Sequence, residues 1–366
     1  MRVVTEPIRL EAAPAVVQDE IAAVLRETYD LRTISKEISR FLEKTTSAVY
    51  KCPLEDGGAV VVKHSSFVTN STALKKAYAI SEELRNRGAR LPRAYRTTNG
   101  SFIAQTTMGS VAVLAFADGK HFSSHEEEFA SAGRALGEFH AAGARYLADH
   151  QDERLEISSA IPVEKPYEES RAMYSEIRAA FIDSHPCSVP EVCDFVREHI
   201  GVLDETAKFV DQSGVNSSAL SSGILHNDFH TNNALYSEDG KLTAFLDIDQ
   251  IGVGPHVWDI GNTLASFASN YINRGVIDGF DDKARLFLRD YHQVFPLQLG
   301  EYRQILAATQ RWDLMRIMRS LRRHHHENNR LSELLPKIKD RLIPRIAAVP
   351  KIFSFLTSDW IRGNLS

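Results

Sequence analysis

The chain has 366 residues, 43% hydrophobic and 25% charged, with 43 Lys plus Arg against 48 Asp plus Glu and a formal charge of −5. That apolar content excludes a disordered, charge-driven tail. The slightly acidic balance argues against a dedicated nucleic-acid binder, which needs a basic surface, and the length fits roughly two domains or one domain with an insertion.

The opening, MRVVTEPIRLEAAP, carries an acid early and lacks the apolar core of a secretory signal. The longest apolar runs, such as Ala59–Val62, are strand-sized and far short of a membrane span of about 20 residues. Cys52, Cys187 and Cys193 form an odd set with no C-x-x-C pair, and are expected as unpaired thiols in a reducing compartment. The expectation is a cytoplasmic protein with neither membrane nor nucleic acid as a partner.

In chain order, residues 15–29 place apolar side chains at helical spacing. Residues 41–52 and 59–63 read as strands joined by a turn at Glu55-Asp56-Gly57-Gly58. A helix follows from Ser71 to about Arg87, ended by Gly88, and then strands at 101–107 and 110–116. After Asp118-Gly119, where a hinge is expected, residues 126–146 are helical. So, for the most part, is the polar stretch of about 165–215, interrupted by Pro186 and Pro190. Residues 224–249 read as strand and loop, and from about 281 the chain is helical with breaks at Pro296, Pro336, Pro344 and Pro350. The fold class is α+β: a small β-sheet lobe over residues 1–117 and a larger helical lobe over residues 118–366.

The chemistry concentrates between Ile224 and Gly261. His226 is followed by Asp228 and Asn233, and Asp247 comes fourteen residues later at the end of the apolar strand Leu242–Leu246. This is the spacing of a kinase catalytic loop followed by a metal-binding aspartate. A carboxylate at Asp228 suits orientation of an acceptor hydroxyl and receipt of its proton. Asn233 and Asp247 offer the hard oxygens that Mg²⁺ prefers, and Asp249, read as pointing to the same side of an extended chain, is either a second-ion ligand or a hydrogen-bonded loop residue. Upstream, Lys63 ends the strand AVVVK, where such a kinase needs a lysine for the nucleotide phosphates.

On these residues the chain resembles the aminoglycoside phosphotransferase and choline kinase-like superfamily, a branch of the protein-kinase fold. The resemblance runs through Thr45–Tyr50, Val60–Lys63, Ala117–Lys120 and Gly133–His140, and is strongest over His226–Asp259. It implies a bilobal protein-kinase-like fold and a cleft for ATP or GTP with Mg²⁺. It implies phosphate contacts from Thr46, Ser47 and Lys63, and adenine bonded to hinge backbone near Ala115 to Ala117. Asp228 is then the catalytic base, Asn233 and Asp247 hold metal, and Asp259 braces the loop. Three positions depart from the pattern. Asn227 replaces the usual glycine between the loop histidine and aspartate. The nucleotide loop lacks glycine. The helix after Lys63 has Ala77 where a glutamate for that lysine is expected, with Glu82 and Glu83 as alternatives one turn on.

The reaction this points to is transfer of a γ-phosphate to a hydroxyl of a small molecule of the aminoglycoside, choline or homoserine kind. A peptide Ser or Thr as acceptor and a catalytically silent nucleotide-binding scaffold are the other readings. A metal cluster of His226, Asp228 and His230 would leave Lys63 and Asn233 without a role. His226 reads as a structural residue that packs the loop. The Arg319–His326 run reads as a solvated helix face, or more sharply as an anion-binding edge. Trp258 reads as core and Trp312 as core or as a wall of the acceptor pocket. Oligomeric state is not legible in the sequence.

Overall fold

A computed structural model describes residues 10–42, 48–65, 71–106, 109–151, 171–172, 175–176, 178–179, 190–216, 218–272, 279–327, 338–356 and 358–365. Thr46, Ser47, Cys187 and most of 152–189 lie outside the described residues. The chain forms two compact units, Met1–Ile161 with Asn232–Ile251, and Pro162–Thr231 with Gly252–Ser366. Among the described residues no helix is long and apolar enough to cross a membrane.

The first unit is built on a six-stranded antiparallel sheet of order β1-β2-β3-β4-β6-β5. Its strands are β1 (Leu10–Ala12), β2 (Ser39–Phe41), β3 (Ala48–Pro53), β4 (Ala59–Ser65), β5 (Ile103–Thr106) and β6 (Gly109–Ala115). Helix α1 (Ala15–Tyr29) buries Ile21, Leu25 and Tyr29, spaced four apart on one face, against this sheet. The Tyr29 hydroxyl donates to the carbonyl of Val111 at 2.8 Å, which gives the buried phenol a partner. Cys52 is a free thiol in the same core, and burial pushes its pKa up to about 12. Helix α2 (Ser71–Asn86) ends as expected at Gly88, whose φ of 96° is one that side chains avoid.

The expected boundary at 117/118 falls inside this unit. The reason is that α3 (Glu126–Asp149) and the hairpin β8 (Ala234–Tyr236)–β9 (Leu242–Phe245) are tied to the sheet-bearing segment. Arg90 pairs with Glu138 at 2.8 Å and donates to the Leu242 carbonyl at 2.6 Å. Ser131 accepts the Leu242 N–H at 2.8 Å, and Phe139 packs edge-on against Phe245. Lys120 and Tyr236 exchange two backbone hydrogen bonds of 2.8 Å. At the expected hinge, Gly119 has φ 153°, and a Cβ there would sit 2.9 Å from the Leu235 Cβ. Glycine is required by this close approach.

The second unit pairs β7 (Ser222–Leu225) with β10 (Gly252–Pro255). Its helices are α4 (Pro190–Gln212), α5 (His256–Ile272), α6 (Phe280–Val294), α7 (Leu299–Tyr302), α8 (Ile305–Glu327), α9 (Ile343–Ile352) and α10 (Ser358–Asn364). Phe195, Leu203, Leu314, Ile317, Met318 and Ile346 form the core between α4, α8 and α9. Trp258 is buried and donates from Nε1 to the Val215 carbonyl at 2.9 Å, which makes it core. Pro350 does not break α9. It lacks the N–H that would bond the Ile346 carbonyl, and Gln310 Nε2 approaches that carbonyl at 3.5 Å instead.

Helix α5 crosses α8 with almost no space between them. A Cβ on Gly261 would lie 2.6 Å from the Ala308 Cβ and 2.7 Å from the Thr309 backbone nitrogen. Gly261→Val should therefore destabilise the protein by about 1–3 kcal/mol, the usual cost of overpacking. Gly300→Ala, where a Cβ meets nothing within 4 Å, should change the urea midpoint little. Equal midpoints for the two variants would contradict this packing.

Candidate functional site

In the first unit one pocket is lined by Lys63, Tyr78, Ala115, Ala117, Asn233, Asp247 and Asp249, with Val49, Val61, Leu114 and Leu235 as apolar walls. Strand β4 delivers Lys63 to it. The ammonium lies 2.5 Å from Asp247 Oδ1 and 2.6 Å from Asp249 Oδ2. Burial works to lower the Lys63 pKa, but the two carboxylates outweigh it and hold the group above the ordinary lysine value, so it stays charged.

The expected glutamate partner is not one of the α2 acids. Ala77 is buried, Glu82 pairs with Arg85 at 2.5 Å, and Glu83 pairs with Arg87. Helix α2 contributes Tyr78 instead, whose hydroxyl donates to Asp249 Oδ1 at 3.0 Å. Burial, and then the charge of Asp249, raise the Tyr78 pKa well above 10, so the phenol remains a donor. Asp249 thus has one oxygen on Lys63 and the other on Tyr78.

The two aspartates do not share a side through strand alternation. Asp247 has φ 56° and ψ 62°, and a 3₁₀ turn over Ile248–Gln250 follows. Left-handed backbone is rare for non-glycine residues but is tolerated by Asp and Asn. It is this turn that brings both carboxylates to one ammonium. Asn233 is placed by the hairpin, its carbonyl accepting the Leu246 N–H at 2.8 Å.

At the end of β6 the sheet uses only some of the backbone groups. The Ala115 N–H goes to the Arg93 carbonyl at 2.8 Å, and the Phe116 N–H to the Ala59 carbonyl at 3.1 Å. Among the described residues, the Ala115 carbonyl and the Ala117 N–H have no such bond, which leaves an acceptor and a donor two residues apart in the pocket lining.

In the second unit the loop after β7 is organised by Asp259, fully buried in the first turn of α5. Its carboxylate accepts the backbone N–H of His226 and of Asn227, each at 2.7 Å. His226 is buried, and its Nδ1 accepts the Asp228 N–H at 3.3 Å. The imidazole therefore holds loop backbone. Among the described residues no group of three or more His, Cys, Asp or Glu is arranged to hold a metal, which removes the His226–Asp228–His230 cluster. His230 Nε2 lies 3.8 Å from Asp228 Oδ2. Asn227 has φ 63°, which explains why glycine suits this position and why asparagine can replace it.

The phosphotransferase enzyme family profile matches residues 37–296. No curated protein matches the chain in sequence. Among solved structures, similarity extends to an aminoglycoside phosphotransferase from Alicyclobacillus acidocaldarius, at 14% identity over 87% of this chain and 92% of that one, with a TM-score of 0.60. The amicoumacin kinase hAmiN in complex with AMP-PNP, Ca²⁺ and Ami is 15% identical over 92% of this chain and 93% of that one, TM-score 0.62. An ethanolamine kinase from Plasmodium vivax is 13% identical over 93% and 90%, TM-score 0.63. At these identities the likeness establishes a kinase-like fold, with an antiparallel sheet followed by a larger helical part.

Two stability predictions follow from the loop and the lysine cluster. Asn227→Gly should be neutral or stabilising, whereas Asn227→Val should cost about 1–2 kcal/mol for forcing a branched residue into left-handed backbone. Tyr78→Phe should cost about 1.5–3 kcal/mol, the range for a hydrogen bond to a charged group. Both are read from urea midpoints at constant m, and an unchanged midpoint for Tyr78→Phe would contradict the phenol's role in holding Asp249.

Proposed function

Because the chain belongs to the phosphotransferase enzyme family, we propose that it is an O-phosphotransferase that moves the γ-phosphate of ATP, or of GTP, to a hydroxyl of a small-molecule acceptor with Mg²⁺ as cofactor. The observation that carries this reading is the first unit's pocket, where Lys63, Asn233, Asp247 and Asp249 share one lining with the unused backbone pair of Ala115 and Ala117. That donor and acceptor suit the edge of an adenine, and Val49, Val61, Leu114 and Leu235 suit its faces. Lys63 is the cation for the nucleotide phosphates. We read Met1–Ile161 with Asn232–Ile251 as the nucleotide-binding part and the remainder as the acceptor-binding part.

The donor set fits Mg²⁺. Asn233 and Asp247 offer hard oxygens in the same pocket lining, the donor type that Mg²⁺ takes one or two of beside phosphate oxygens and water. Asn233 and Asp247 would hold such an ion, which would supply neutralisation of the phosphate charge. Asp247 would then offer its carboxylate to both Lys63 and the ion, and Asp249 is held by Lys63 and Tyr78.

Asp228 orients the acceptor hydroxyl and accepts its proton. Its backbone is fixed through His226 and Asp259, so the carboxylate is offered from a loop held at both ends of a hydrogen-bond chain. Phosphoryl transfer asks little covalent chemistry of a protein, so the residues work by positioning and charge neutralisation. The relatives crystallised with AMP-PNP or with ADP support the nucleotide, and the aminoglycoside and ethanolamine enzymes support an alcohol as acceptor.

With γ-labelled ATP and magnesium, transfer to water or to an alcohol should fall by about two to four orders of magnitude in Asp228→Ala, the usual worth of a general base. Nucleotide affinity by equilibrium dialysis should be unchanged. Transfer retained in the variant would remove Asp228 from this role. A wild type that binds nucleotide yet transfers nothing would favour the scaffold.

A further inference from the structure

The three charges of the first unit's pocket stand on anchored backbone. Lys63 lies in β4, an interior strand, opposite Val49 of β3 on one side and Ala112 of β6 on the other. Asp247 is set by its left-handed backbone and Asp249 by the 3₁₀ turn that follows. The ammonium reaches both carboxylates, at 2.5 Å and 2.6 Å, from a side chain only 16% exposed. The two acids are not equivalent. Asp249 is 22% exposed, and its other oxygen accepts from the buried Tyr78 phenol at 3.0 Å. The Asp247 side chain is 40% exposed in the same pocket lining.

Two carboxylates held this close are the kind of ligand pair that a hard divalent cation takes. Here an ammonium stands between them. It donates to oxygens that such an ion would use, and it cancels one of the two negative charges. Mg²⁺ gives up its water reluctantly, and gains little by doing so at carboxylates already paired. A polyphosphate changes that balance, because its oxygens accept from the ammonium and add further hard ligands.

Resting on the reading of Asn233 and Asp247 as the residues that hold Mg²⁺, we propose that Lys63 is an internal stand-in for the divalent ion. It keeps free Mg²⁺ off Asp247 and Asp249 until a nucleotide draws the ammonium toward its phosphates, so that ion and nucleotide bind as one unit. Asp249, held on its other side by Tyr78, keeps its place through the exchange, and Asp247 turns part of its carboxylate to the ion. The two binding events are then positively coupled, and by linkage each raises the affinity of the other by the same factor.

Mn²⁺ serves as the probe, followed through the relaxation of water protons, which responds to an ion held by protein. The full-length wild type is compared with Lys63→Met, which keeps an unbranched stem without the charge, and with Lys63→Met combined with Asp247→Asn. Without nucleotide, Lys63→Met should bind Mn²⁺ at least about tenfold more tightly than the wild type, and the second substitution should remove most of that gain. AMP-PNP should raise the wild-type affinity for Mn²⁺ by about 5–150-fold, the usual range of such coupling, and that of Lys63→Met by a smaller factor. Loss of the ammonium also leaves two carboxylates unmatched, so Lys63→Met should melt below the wild type, with part of the difference restored by Mn²⁺. A wild type that binds Mn²⁺ alone as tightly as with AMP-PNP would overturn the proposal without recourse to any variant. So would a folded Lys63→Met with no gain, or a gain undiminished by Asp247→Asn. A wild type that binds no AMP-PNP, with or without Mn²⁺, would instead strike the phosphotransferase reading and the coupling that rests on it.

Discussion

The first unit is organised around an ammonium held by two carboxylates. Asp247 and Asp249 stand two residues apart and repel each other; only a cation between them makes their approach favourable. Lys63 is that cation, and it can be reached only if β4, the end of β9 and α2 all take up their observed positions. Tyr78 completes the arrangement by orienting Asp249. A buried or half-buried ion pair of this kind contributes little net stability, since desolvation offsets most of the attraction, but removing one member leaves the others unmatched. On the proposed reading it fixes where charges stand before a polyphosphate arrives.

The second unit uses the same device with one charge. Asp259 spends both carboxylate oxygens on the backbone of His226 and Asn227, so the loop carrying Asp228 is set by a helix that is itself locked by the contact of Gly261 with Ala308 and Thr309. Positioning of this sort suits a reaction whose barrier falls through orientation and electrostatics.

Much of this was legible in the chain because it is local. The loop residues, Asn233 and Asp247 lie within one short stretch, and the strand pattern AVVVK gave Lys63 its element. The ties that decide the geometry are not local. Tyr78 and Asp249 are 171 residues apart, and the left-handed backbone at Asp247 turned what read as an alternating strand end into a tight turn. The sequence offered Ala77 where a glutamate was expected; the neighbouring tyrosine carried no signal, since a buried phenol in a helix reads as core. Helix α5, buried nearly all round, was not read as an element of its own. The first unit also takes in α3 and the β8–β9 hairpin because Arg90 reaches Glu138 and Leu242, contacts that composition around residue 118 does not announce.

The most direct test of this account is a thermal-shift comparison with ATP, GTP and ADP, each with and without Mg²⁺, on the wild type and on Asp247→Ala. A ligand at 100 times its dissociation constant stabilises by about 2.7 kcal/mol, which is several degrees for a protein of this size. The account predicts a nucleoside-triphosphate shift that magnesium enlarges in the wild type and does not enlarge in Asp247→Ala. A wild type that no nucleotide stabilises, or an Asp247→Ala variant with the full magnesium-dependent shift, would contradict it.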